Sequence, residues 1–168
     1  MNWYQQLKSV FLNQVIAVTR VGVAADLATQ HLVNVFTISG GDVDVLGVIG
    51  KIIATKDATG QTIELGFTPT GGARGVFAAA SATTTGDVIN KYYTWNGIIG
   101  SALIVAQTGD VIGFGAVNSA LAGTSTAHNV FCPGVIDITT AAANDVLGLI
   151  NWTIFYRPLS TASKITAL

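Results

Sequence analysis

Charge is what this chain has least of. Eight Lys and Arg and nine Asp and Glu make up 10% of its 168 residues, where soluble domains average roughly 25%. The net charge of −1 leaves no basic footprint, so a nucleic-acid partner is not expected. A single cysteine, Cys132, has no partner for an internal disulfide and makes a thiolate metal site unexpected. It sits before Pro133 among apolar neighbours and reads as a small buried hydrophobe. Long apolar runs are missing as well. Mean hydropathy of +0.55 would suit a membrane protein, yet the window GIIGSALIVAQTG (97–109) is short and broken by glycine, whereas a spanning helix needs about 20 apolar residues. The opening MNWYQQLKSVFLNQVIAVTR is interrupted at Asn13 and Gln14 and lacks the unbroken apolar core of a signal peptide.

So few charges constrain the surface. A soluble monomer carries charge on roughly 25–35% of its surface positions. This chain either covers itself with Ser, Thr, Asn and Gln or hides much of its surface in subunit contacts.

What is present is extended chain. VNVFTIS (33–39) is rich in β-branched residues, and Gly40-Gly41 before DVDVLGVIGKIIAT predicts a hairpin turn. TIELGFT (62–68) alternates, with Ile63, Leu65 and Phe67 inward and Thr62, Glu64 and Gly66 outward. INKYYTW, SALIVAQ, DVIGFGAV, NVFC, GVIDITT and VLGLINWTIFYR are further strands. Turn residues separate them every 8–12 positions or so, the spacing of an all-β sandwich or barrel. Helical spacing is confined to the first thirty residues, where Trp3, Leu7, Val10 and Phe11 fall on one face. The expected organisation is an N-terminal arm over 1–30, partly helical, and one β domain over 31–168, of β-sandwich, jelly-roll-like or small-barrel form.

No catalytic, cofactor or metal constellation stands out. GVIGKI (47–52) and TGGARG (70–75) are glycine-rich, but strands rather than helices follow them, so they read as bulges and a loop. Asp42 and Asp44 alternate with valines and read as the wet face of an edge strand. Asp110, Asp137 and Asp145 read as turn or strand-surface acids. His31 and His128 could join an aspartate in a small hydrolase, though no GxSxG elbow supports that. Tyr92, Tyr93 and Trp95 could form a glycan-binding surface, but three residues so close in a strand cannot share one face.

The stretch NWTIFYRPLS (151–160) alternates too. Trp152, Ile154 and Tyr156 are expected in the core, each ring burying of order 150–250 Å². Phe155 and Arg157 share the opposite face, a pairing enriched at interface centres. Trp3, Tyr4 and Phe11 are the arm's candidates, either packing on the domain or docking on a neighbour.

Taken together, VFTISGGDVDVLGVIGKI, SATTTGD, CPGVIDITT and GLINWTIFYRPLS resemble a family of small structural proteins of tailed bacteriophages, the head decoration or cement proteins. The shared features are Thr-x-x-Gly-Gly after a strand, a Gly-x-Ile-Asp strand and a final Trp-x-x-x-Tyr-Arg-Pro-Leu strand. The likeness runs over about residues 33–160. Cys132-Pro133 departs from the usual lead-in to the Gly-x-Ile-Asp strand, and the arm matches no part of the pattern. The resemblance implies a homotrimer on the outer surface of the virion head, bound to the major capsid protein, made in the bacterial cytoplasm and clamping the lattice. It implies no enzyme activity, no cofactor, and neither a nucleic-acid nor a membrane partner. A tail or collar spike, or another host- or glycan-binding β module, is the alternative.

Overall fold

The computed structural model describes residues 14–28, 31–57, 60–95, 97–106, 129–142 and 144–168. Among these, eleven strands form two antiparallel sheets. Sheet A runs β1 (Ile16–Arg20), β10 (Leu149–Pro158), β3 (Val43–Ala54), β6 (Tyr92–Trp95) and β7 (Ile104–Ala106), with β8 (Val130–Phe131) also paired to β3. Sheet B runs β11 (Lys164–Ala167), β2 (Leu32–Ser39), β9 (Gly134–Ala141), β4 (Thr62–Pro69) and β5 (Gly75–Ala78). The chain is all-β, with its two sheets packed as a sandwich.

Period-two alternation builds the core. On β10 every second residue from Ile150 to Pro158 is buried, including Trp152, Ile154 and Tyr156 as expected. Ile63 and Leu65 of β4 and Ile136 and Ile138 of β9 supply the facing layer. Edge-to-face rings extend it toward one end: Phe67 on Phe131 at 4.9 Å, Phe131 on Phe77 at 5.2 Å, and Phe77 on Trp95 at 4.9 Å. Each such pair adds about 0.5–1.5 kcal/mol beyond its buried area.

The glycine pair works differently from the hairpin expected. β2 and β3 lie in different sheets, so Gly40-Gly41 is an arch that carries the chain across the sandwich. Gly40 has φ +75, and a Cβ there would meet the Ala162 carbonyl oxygen at 2.0 Å. Glycine is required by both the turn and the close approach.

The stretch read as an arm contributes β1, paired with β10 from Ile16↔Tyr156 to Arg20↔Trp152. A short 3-10 turn at Ala24–Asp26 follows and leads to the buried Leu27. Arg20 ties this edge to the other sheet. Its Nε donates to the Leu168 carbonyl at 3.0 Å, and its guanidinium pairs with Asp26. At the opposite edge Ala79 and Ala102 form a bridge, with Leu103 N donating to the Ala79 carbonyl. Both lateral edges of the sandwich are thereby stitched.

Candidate functional site

The outer face of sheet A is built by strand register alone. Thr19, Thr153, Ile49, Thr94 and Ile104 are successive cross-strand partners, one from each of five strands. With strands about 4.8 Å apart, this uncharged row spans about 19 Å. Thr19 and Thr153 share a hydroxyl hydrogen bond of 2.8 Å. In the adjoining row Phe155 lies between Ala17 and Gly47, and beyond it Arg157 lies opposite Asp44. Phe155 and Arg157, the interface candidates from the sequence, therefore share this face, both half-buried. The Nε of Arg157 is buried with no acceptor among the described residues. Trp3, Tyr4 and Phe11 lie outside the described residues.

Several expectations about polar groups are overturned. Asp42 is exposed but Asp44 is buried, because β3 is an interior strand of its sheet and not an edge. Asp44 accepts from the Asn129 backbone N–H at 3.1 Å, which holds the approach to β8. Asp137 and Asp145, read as surface acids, are 1% and 0% exposed. Asp145 accepts from the backbone N–H groups of Leu147 and Gly148 and so organises the turn before β10. Cys132, read as buried, is exposed, because it follows Phe131 on the outward side of the β8–β9 connection. His128 and Asp110 lie outside the described residues, and His31 is half-buried with its carbonyl accepting from Thr140 N.

Two clusters of ionisable residues were not foreseen. On sheet B, Arg74 reaches back from the β4–β5 loop over Gly66 to Asp137. Its Nε and Nη2 lie 2.9 and 2.7 Å from Oδ1, and its Nη1 is 3.0 Å from Glu64 Oε1. Arg74 Nη2 also donates to Thr139 Oγ1 at 2.9 Å. Glycine at 66 makes room, since a Cβ there would lie 2.3 Å from Arg74 Nη2. Hydrogen bonding to Asp137 is the main reason the guanidinium is held above its ordinary value.

The second cluster lies inside the sandwich. The Lys56 ammonium donates to Thr84 Oγ1 at 3.1 Å and Tyr93 OH at 3.2 Å. Tyr93 OH donates to Asp87 Oδ2 at 2.7 Å, and Lys91 donates to Asp87 Oδ1 at 3.0 Å. Burial pulls Lys56 below its ordinary value, against the upward pull of Asp87, Asp145 and Asp57. Burial also pushes the Tyr93 phenol up. For Asp87 burial pushes upward, but hydrogen bonds from Tyr93, Thr84 and Lys91, with the Lys91 charge, outweigh it and hold the carboxyl low. Each of these groups is tied to a neighbour in the network, which fixes the loops at this end.

Tyr92, Tyr93 and Trp95 divide as strand geometry requires. Tyr93 and Trp95 are buried, and Tyr92 lies on the outer face with Lys51 Nζ 5.9 Å from its ring centroid. Among the described residues no group of three or more His, Cys, Asp or Glu is placed to hold a metal ion, and no helix is long and apolar enough to cross a membrane. No protein-family model, curated protein or solved structure matches the chain.

Proposed function

We propose that this protein is structural: a decoration protein that binds the outer surface of a bacteriophage head as a homotrimer and stabilises the capsid lattice. The observation that carries the reading is where the charges sit. Of the seventeen charged residues fifteen are described, and of these seven are buried, five half-buried and three exposed: Asp42, Lys51 and Lys164. The row Thr19, Thr153, Ile49, Thr94 and Ile104 on the outer face can be desolvated without stripping water from ions, which is the larger cost of burying a surface, while Lys51 and Arg157 flank it. Phe155 and Arg157 beside it match the residue types enriched where interfaces bind. Three copies on a lattice would multiply weak contacts through effective concentration.

Light scattering over a range of concentrations tests the oligomer, with the expected mass three times 17.3 kDa. Addition to undecorated capsids tests the partner, with co-sedimentation and a raised rupture temperature as the expected result. No co-sedimentation and an unchanged rupture temperature would overturn the capsid reading.

A further inference from the structure

Two opposite charges are left unused at one corner of sheet A. Asp42, in the arch just before β3, is the one exposed carboxylate among the described residues. Its backbone carbonyl accepts from Leu159 N at 3.1 Å, which sets it level with Leu159. Arg157 lies two residues back along β10, opposite Asp44. Asp42 and Arg157 are therefore diagonal neighbours on adjacent strands, about 7–8 Å apart at the backbone. Neither has an ion pair among the described residues. Asp44 does not fill the gap, because its buried carboxylate accepts from the Asn129 backbone N–H. The Arg157 Nε is buried without an acceptor, a cost that a new acceptor would remove. Two residues to either side on the same parity stand Phe155, half-buried, and Leu159, 47% exposed.

We propose that this corner is a contact between copies of this chain, in which Arg157 of one copy pairs with Asp42 of the next. The inference rests on the homotrimer of the proposed reading and names the contact that closes it. Charge complementarity is the first argument. A cation and a carboxylate side by side on one copy meet the reverse order on a rotated copy, so the chain carries its own complement. The second argument is the state of the guanidinium. Turning it onto a neighbour's carboxylate breaks no hydrogen bond at Nε, where none is made, and rotamer changes of this kind are common on association. The carboxylate can then take two parallel N–H bonds from the planar fork. Composition is the third, since Arg beside aromatic and aliphatic side chains is the make-up of interface centres. Because the two groups are diagonal neighbours, each reaches its counterpart only beside the rotation axis. Three copies there close a ring in which Arg157 and Asp42 alternate.

Association of the full chain tests this, by light scattering and sedimentation over a range of concentrations, for wild type, D42N, R157Q and D42N/R157Q. The expected result is association at least about tenfold weaker in each single variant. The double variant falls within about threefold of the larger single loss, as for two groups sharing one contact. The Tm of D42N stays within a few degrees of wild type, since Asp42 has no ion pair within the copy. A wild type that stays monomeric at every concentration overturns the inference. So does a D42N variant that associates like wild type, even if R157Q fails to fold. Losses that multiply in the double variant also overturn it, because the two groups would then serve separate contacts. A wild-type trimer left intact by both exchanges sinks this contact and leaves the trimer standing, and failure to co-sediment with capsids sinks the capsid reading but not an Asp42–Arg157 coupling.

Discussion

Replacing Arg74 with Met tests whether the outer face of sheet B is held by one guanidinium. Met keeps an aliphatic stem but removes the guanidinium that lies over Gly66, and with it Arg74's donors to Asp137, Glu64 and Thr139. The Asp137 side chain, 1% exposed, then keeps its position without its main partner. Breaking a buried pair by removing one member costs about 3–5 kcal/mol. The Arg74 side chain is itself 26% exposed, so water relieves part of that, and about 2–3 kcal/mol is the expected loss. The Glu64 arm adds little, being a partly exposed ion pair of at most about 1 kcal/mol.

For a domain of this length 1 kcal/mol shifts Tm by about 2–4 °C, so Arg74→Met melts roughly 5–10 °C lower. Urea unfolding followed by circular dichroism gives the free energy directly. Two further variants separate charge from packing. Asp137→Asn added to Arg74→Met removes the stranded charge and recovers stability relative to the single variant. Gly66→Ala, whose Cβ would lie 2.3 Å from Arg74 Nη2, displaces the guanidinium and is itself destabilising. The reasoning fails if Arg74→Met lies within about 0.5 kcal/mol of wild type, the range of ordinary surface substitutions, or if the double variant is no more stable than the single.

The interior network predicts stability that rises with pH at both ends of the scale. Asp87 is held below its ordinary 3.8, so the stability it adds is fully present above that pH and is lost as pH falls through its lower folded value; Asp87→Asn flattens the acid limb of stability measured by urea titration below pH 4. Lys56 is held below its ordinary 10.5 and binds fewer protons folded than unfolded, so its contribution becomes more favourable as pH climbs from its folded value toward 10. Lys56→Met removes that rise, and an unchanged slope between wild type and variant would refute it. On the outer face of sheet A, Ile104→Asp places a charge at a 46% exposed position; Tm stays within a few degrees, while sedimentation with capsids is lost.

The sandwich was legible wherever a strand had one wet and one dry face. β4 and β10 alternate so cleanly that their buried residues follow from the sequence. β1 and β11 were missed because IAVTR and KITA are too short for a period to emerge, and each is held by a partner far along the chain. The Gly40-Gly41 arch failed for a related reason. A glycine pair between two strands signals a reversal, but whether the strands then pair or part into two sheets depends on what packs beneath, here the Ala162 carbonyl. Phe155 and Arg157 were placed on a common face because parity along one strand suffices for that. The Thr and Ile row around them needed the register of five strands, which no local pattern encodes.

The charged residues show most clearly what composition conceals. A low count of ions in the sequence suggests a sparse surface, but it also suggests that the ions present lie outside. The fold does the reverse, drawing Asp44 and Asp145 inward as acceptors for backbone N–H groups and Lys56, Asp87 and Asp137 inward as partners of other side chains. Asp145 shows why. A carboxylate that accepts from the N–H groups of Leu147 and Gly148 supplies these backbone groups with an acceptor, and here it does so from a buried position. Such residues stabilise only while their partners remain, which makes them costly to lose one at a time. With most of its described ions spent on internal fastening, the molecule presents on sheet A an uncharged row of threonine and isoleucine. On the proposed reading, covering that row would cost little desolvation of ions, and the charges to be desolvated would be Lys51 and Arg157 at its flanks.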